Sequence, residues 1–164
     1  MDKLDDLFKA CIYGDIKLLN KSFKNGGHLN KRFRKWKPIR WAIQYGHLNI
    51  VIALVDKGTN IKKAYNDGVT PLDQAVGEKH KTIVKYLIDA GVNVNQRTTN
   101  GTALHTACAY GHMDIVKLLV RNGADLKIKD DNGKTPRHYA KYYNRLDLVK
   151  LIDKRVKTDK LSKT

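Results

Sequence analysis

The chain has 164 residues, 41% of them hydrophobic and 29% charged, which suits one ordinary water-compatible domain. No apolar run approaches the roughly 20 residues that span a bilayer, the opening "MDKLDDLFKACIYGD" lacks the apolar stretch of a signal peptide, and two cysteines are too few for a disulfide framework. Lys and Arg number 32 against 16 Asp and Glu, a formal charge of +16 that attracts acidic proteins, nucleic acid or anionic membrane without choosing among them.

In chain order, "LDDLFKAC" opens a first helix that stops at Gly14, and a second helix runs on to Gly26. The stretch "KRFRKWKPIRW", Lys31 to Trp41, stands where the chain should form a hairpin. It interleaves six basic residues with Phe33, Trp36 and Trp41. A helix through Ala42 reaches Gly46, and another carries Ile50, Val51 and Leu54 at helical spacing up to Gly58. Asp67-Gly68 marks a turn, after which Thr70-Pro71 supplies an N-cap hydroxyl and a proline whose missing N–H costs nothing at the first helical position. The same order returns through Ala75, Lys79, Ile83-Val84-Leu87 and Gly91. It returns again through Asn100-Gly101, Ala107, Gly111, Ile115-Val116-Leu119 and Gly123. Asn132-Gly133 and Thr135-Pro136 open a last round with Ala140, Asn144 and Leu148-Val149-Ile152.

These rounds form a register. An alanine precedes a turn residue by four places at Ala10/Gly14, Ala42/Gly46, Ala75/Lys79, Ala107/Gly111 and Ala140/Asn144, and successive alanines lie 32, 33, 32 and 33 residues apart. A second glycine follows each turn residue by twelve places, until Val156 breaks the series. A fixed period in this range signals stacked helical repeats, each too small to bury its apolar face alone. Loss of Leu87 or Val116 should therefore uncouple the stack in its middle.

The segments "TALHTACAYGHMDIVKLLVRNGAD" (102–125) and "TPLDQAVGEKHKTIVKYLIDAGVN" (70–93) resemble the ankyrin repeat family, and the likeness runs over about 3–156. The resemblance implies an all-α solenoid of five stacked helix-turn-helix units joined by β-hairpin-like turns. The units are about 3–35, 36–67, 68–100, 101–132 and 133–156, with a polar basic tail at 157–164. The first and last units look like caps. The Lys37-Pro38-Ile39-Arg40 stretch and the one residue missing before Thr102 depart from the pattern and should reshape those hairpins.

His105, Cys108 and His112 crowd one stretch, yet Gly111 separates the last from the others and no glutamate stands in a zincin-like spacing. The resemblance implies hydrogen-bonding scaffold roles for His47, His80, His105, His112 and His138. Cys11 and Cys108 hold equivalent places three units apart. At about 8–10 Å per stacked helix they are too distant to bridge within one molecule. No catalytic group, metal site or cofactor is expected.

The family's partner-facing surface is implied to be the hairpin tips and the concave side of the first helices. Carried onto this chain, the residue before each turn is Tyr13, Tyr45, Glu78, Tyr110 or Tyr143, with Tyr142 beside the last. These tyrosines form a binding column, or are simply frequent at that family position. Phe33, Arg34, Trp36 and Arg40 form a second candidate, with Phe33 and Trp36 exposed and Trp41 turned to the core. Alternatively, both exposed rings pack on the first unit and the charges are merely solvated. The expectation is a monomeric, cytoplasmic, non-enzymatic module that binds an acidic protein, as an inhibitor or as a pathogen or viral effector. The alternative is binding of nucleic acid or anionic membrane through the basic ends, with rings stacking on bases.

Overall fold

The structure is a computed structural model that describes residues 5–161, among which lie ten α-helices. It divides into two compact units, Met1–Lys63 and Ala64–Thr164. The first contains α1 (Asp6–Tyr13), α2 (Ile16–Lys24), α3 (Pro38–Gln44) and α4 (Leu48–Asp56). The second contains α5 (Pro71–Gly77), α6 (Lys81–Asp89), α7 (Ala103–Tyr110), α8 (Met113–Arg121), α9 (Pro136–Tyr142) and α10 (Leu146–Leu161).

The spacing of alanine and turn residue has one structural cause. In every helix pair, the amide five places after the alanine, just past the end of the first helix, donates back to the alanine carbonyl. Asp15 N bonds Ala10 O at 3.1 Å, and His47 bonds Ala42 at 3.0 Å. His80 bonds Ala75 at 2.9 Å, His112 bonds Ala107 at 3.0 Å, and Arg145 bonds Ala140 at 2.7 Å. This closure needs a left-handed residue between the partners. Gly14, Gly46 and Gly111 supply it, and Lys79 (φ 61°) and Asn144 (φ 56°) adopt it as well. The five alanines are all fully buried, so their small side chains allow the first helices to approach their neighbours.

The second helices end by the same device. Thr59 N bonds Leu54 O, Val92 N bonds Leu87 O, and Ala124 N bonds Leu119 O, each across a glycine with positive φ. Val156 cannot serve there cheaply. Accordingly α10 runs past 156, the expected end of the fifth unit, as far as Leu161. Residues 3–4 of the expected first unit and 162–164 of the expected tail lie outside the described residues.

Within the first unit, α1 packs on α2 and α3, and α4 packs on α2 and α3. Within the second, α5, α7 and α9 stack in one layer, and α6 and α8 lie side by side behind them. The interior of the second unit is aliphatic: Ile83, Val84, Leu87, Val116 and Leu119 are fully buried, as are Leu104 and Ala107. Cys11 and Cys108 belong to the same category of packing residue. Both are free and fully buried, and burial pushes each thiol up to about 12.

Two outcomes follow. Lys79→Gly removes a side chain from the left-handed region and should stabilise the chain by about 1 kcal/mol in urea denaturation, since the penalty for an L-residue there is about 1–2 kcal/mol; a loss of stability would contradict this reading of the turn. A thiol-reactive dye at pH 8 should label neither cysteine of the native chain and both in denaturant, because the thiolate is the reactive form.

Candidate functional site

In the first unit the "KRFRKWKPIRW" stretch forms a tight hairpin. Phe33 and Trp36 exchange two backbone hydrogen bonds of 3.0 Å, leaving Arg34 and Lys35 as a two-residue loop. Both loop residues have positive φ, 48° and 70°. That is the mirror-image turn normally given to Asn-Gly, because it matches the twist of the flanking strands. Here two long cations occupy it, at a conformational cost that strained functional loops characteristically carry.

The hairpin presents a run of touching rings. Phe33 lies 5.5 Å from Phe8 and 6.0 Å from Trp41, and Trp36 lies 4.8 Å from Trp41. Trp41 in turn stacks on Tyr45 at 6.2 Å. The Arg40 guanidinium sits 4.4 Å from the Trp36 ring, and Arg34 sits 5.5 Å from that of Phe33. Phe33 and Trp36 are half-buried rather than exposed as expected, because Phe33 packs on Phe8 of the first helix and Trp36 on Trp41. Trp41 departs from expectation. It is half-buried rather than core, because its indole N–H donates to Phe33 O at 3.3 Å and holds the ring under the hairpin.

The tyrosines share one local position. Tyr13 and Tyr45 in the first unit, and Tyr110, Tyr142 and Tyr143 in the second, lie at or just past the C-terminal end of a first helix. All five are exposed, from 48% for Tyr143 to 73% for Tyr142. Glu78 has the corresponding place after α5 and is also exposed.

The second unit also contains a groove of about 580 Å³, bordered by Tyr110, Tyr139, Tyr143 and Arg145 and floored by Asp73, His105 and Asp130. Sequence reasoning did not single out Asp130, Tyr139 or Arg145. Asp130 accepts from the Tyr139 hydroxyl at 2.5 Å and from the amides of Asn132 and Lys134. The Tyr139 bond is the chief reason its carboxyl lies below the usual range, and Tyr139 is raised in return. The Asp-x-Asn-Gly tip was the available signal, since an aspartate two residues before an asparagine amide forms such a turn.

The histidines of the "GTALHTACAYGH" stretch are occupied by the scaffold. Thr102 N–H donates to His105 Nδ1 at 3.0 Å, so Nε2 carries the proton and donates to Lys134 O at 3.0 Å. Burial holds His105 below its ordinary value. His112 Nε2 reaches Gly77 O at 3.5 Å and its ring stacks on Tyr110, while His47 Nε2 meets Ile12 O at 2.8 Å. His138 does not follow this pattern. It is exposed and stacks on Tyr142 at 6.4 Å, since no further hairpin follows its unit among the described residues to offer a carbonyl. Among the described residues, no group of three or more His, Cys, Asp or Glu is placed to hold a metal ion, and no helix is long and apolar enough to cross a membrane.

Asp73 stands where the fourth unit has His105. Its Oδ2 accepts from the Thr70 hydroxyl at 2.8 Å, and Thr70 Oγ1 accepts from Asp73 N at 3.0 Å, closing a capping box. Its Oδ1 is buried without a hydrogen-bond partner. Burial dominates and pushes the carboxyl up to about 6, against the lowering effect of Thr70 and Thr98.

Comparison with known proteins places this geometry. Residues 7–98 match a family model described as ankyrin repeats (3 copies), and residues 87–140 match one described as ankyrin repeats (many copies). Ankyrin repeat protein L371 of Acanthamoeba polyphaga mimivirus is 37% identical over 70% of this chain and 15% of its own length. Ankyrin repeat protein FPV031 of fowlpox virus is 33% identical over 68% of this chain and 34% of its own. Protein phosphatase 1 regulatory subunit 12A of Mus musculus is 37% identical over 37% of this chain and 6% of its own. The chain thus spans about a third or less of each of these relatives. With the helix pairs, the left-handed turns and the buried alanines all in register, the chain belongs to the ankyrin repeat family, an all-α repeat solenoid.

Proposed function

We propose that the chain is a non-enzymatic protein–protein interaction module that holds an acidic protein partner through its hairpin tips and the ends of its first helices. The observation that carries this is the half-buried ring run of the first unit, which ends on the exposed Tyr45 and is set among Lys31, Arg32, Arg34, Lys35, Lys37 and Arg40. Trp, Tyr and Arg are the residue types that concentrate binding energy. Rings already stacked lose little further freedom on binding. Phe33 and Trp36 would be the anchors, Arg34 and Arg40 the paired cations, and Tyr13, Tyr45, Tyr110, Tyr142 and Tyr143 the wider contact surface. The net charge of +16 would speed encounter with an acidic partner.

The reading includes residues 1–156 acting as one array, on a monomer. Likeness to a mimivirus and a fowlpox virus protein supports, within this class, an effector or inhibitor that works in the cytoplasm or nucleus of a host cell.

A crosslinking pull-down from the native cell, followed by binding curves for the captured protein, tests it. Saturable 1:1 binding should weaken at least about tenfold in Trp36→Ala and in Tyr110→Ala with helicity unchanged, which is the scale of a single hot-spot truncation. Binding to any nucleic acid regardless of sequence, with steep loss of affinity in salt, would replace this reading with one of phosphate-bearing partners.

A further inference from the structure

The six cations between Lys31 and Arg40 divide into two sets. Those at the base of the hairpin are used within the first unit. Lys31 pairs with Asp5 at 2.5 Å, Lys37 Nζ donates to Asn30 Oδ1 at 3.0 Å, and the Arg40 guanidinium lies 4.4 Å from the Trp36 ring. Arg32, Arg34 and Lys35, at the tip, are exposed, and among the described residues no carboxylate pairs with any of them. Arg34 meets the ring of its neighbour Phe33 at 5.5 Å. Three cations within four consecutive residues repel one another, and an anion placed among them relieves that repulsion.

The backbone shows the same asymmetry. The fourth unit makes an equivalent bridge, Thr98 to Gly101, across the two-residue loop Thr99-Asn100, and neither loop residue has positive φ. There, and at Gly68 and Gly133, the left-handed position of the hairpin falls on glycine. The repeat therefore does not require a side chain in the left-handed region at this point. Arg34 at φ 48° and Lys35 at φ 70° are held there against the preference of any L-residue. Strain of this kind collects in loops that contact ligands.

We propose that Arg32, Arg34 and Lys35 form a receptor for a run of side-chain carboxylates on the partner. Each guanidinium fork takes one carboxylate through paired N–H donors, and the Lys35 ammonium adds a third charge-assisted contact. The inference rests on the reading of the first unit as a contact for an acidic protein, and it narrows that contact from the whole basic stretch to its tip. Carboxylate fits better than nucleic acid for a geometric reason. Bases are held by stacking on open ring faces. Here Phe33 already has Phe8 at 5.5 Å and Trp41 at 6.0 Å, while Trp36 has Trp41 at 4.8 Å and Arg40 over its ring. The rings brace the hairpin, so the tip offers N–H donors on a support that needs little further ordering.

The test is a calorimetric titration of the full chain with a decaglutamate peptide at about 0.15 M salt, beside thermal melts of each variant. Arg34→Asn combined with Lys35→Gly should melt about 3–6 °C higher as the turn strain is relieved. The same variant should bind the peptide at least about tenfold more weakly, from the loss of two charge-assisted contacts. Arg32→Lys combined with Arg34→Lys keeps the charge and should melt as wild type, yet lose at least about threefold in affinity with its forks. Lys37→Ala removes one charge from the base and should change affinity by less than about twofold. An Asn-Gly variant that melts no higher or binds as wild type would overturn the proposal. So would a lysine pair that binds as wild type, or an oligothymidylate of equal charge that binds more tightly than the peptide. If Trp36→Ala weakens peptide binding and neither tip variant does, the acidic-partner reading stands and the tip assignment falls; if no variant weakens it, both fall.

Discussion

One backbone hydrogen bond recurs five times and the rest of the structure depends on it: the amide after each inter-helix turn donates to the carbonyl of a fully buried alanine. It ends the first helix, forces a left-handed residue at the turn, and sends the second helix back behind the first. The alanine has two functions. Its carbonyl receives the bond, and its methyl leaves room for the next first helix. Where the matching closure of the second helix loses its glycine, at Val156, the helix does not stop, and α10 is the longest of the set.

This economy explains what polar side chains at the hairpins do. A histidine, a threonine or an aspartate at a hairpin is needed to satisfy backbone groups that would otherwise be buried unpaired, at a cost of about 1–3 kcal/mol each. His105, Thr102 and Asp130 are consumed that way. The groups left over are those the repeat does not need: the tyrosines past the first helices and the cationic aromatic hairpin of the first unit. A fold that uses its polar groups internally and displays rings and cations is suited to holding a partner.

Much of this was legible in the sequence, because spacing reports backbone geometry. The alanine-to-turn interval located all five closures, including the two made without glycine at Lys79 and Asn144. Rings and charges were legible as residue types but not as arrangements. Its place in a helix alone points Trp41 to the core, whereas its indole N–H is drawn to a hairpin carbonyl that no periodicity reveals. His138 shares its repeat position with His105, whose ring bonds a carbonyl of the hairpin that follows it. The groove needed Asp130, Tyr139 and Arg145 to meet across two units of the repeat, and a single chain does not announce such meetings. The unpartnered oxygen of Asp73 depends on what packs around it, which spacing does not report.

The close approach of first helices is tested most directly at Ala107, fully buried in α7 between α5 and α9. The measurement is urea denaturation of Ala107→Leu against wild type. A branched side chain at that seam should cost about 1–3 kcal/mol or more through overpacking, with binding and helicity failing together. A variant as stable as wild type would mean that the helices do not meet through that alanine, and the account of the stack would be wrong.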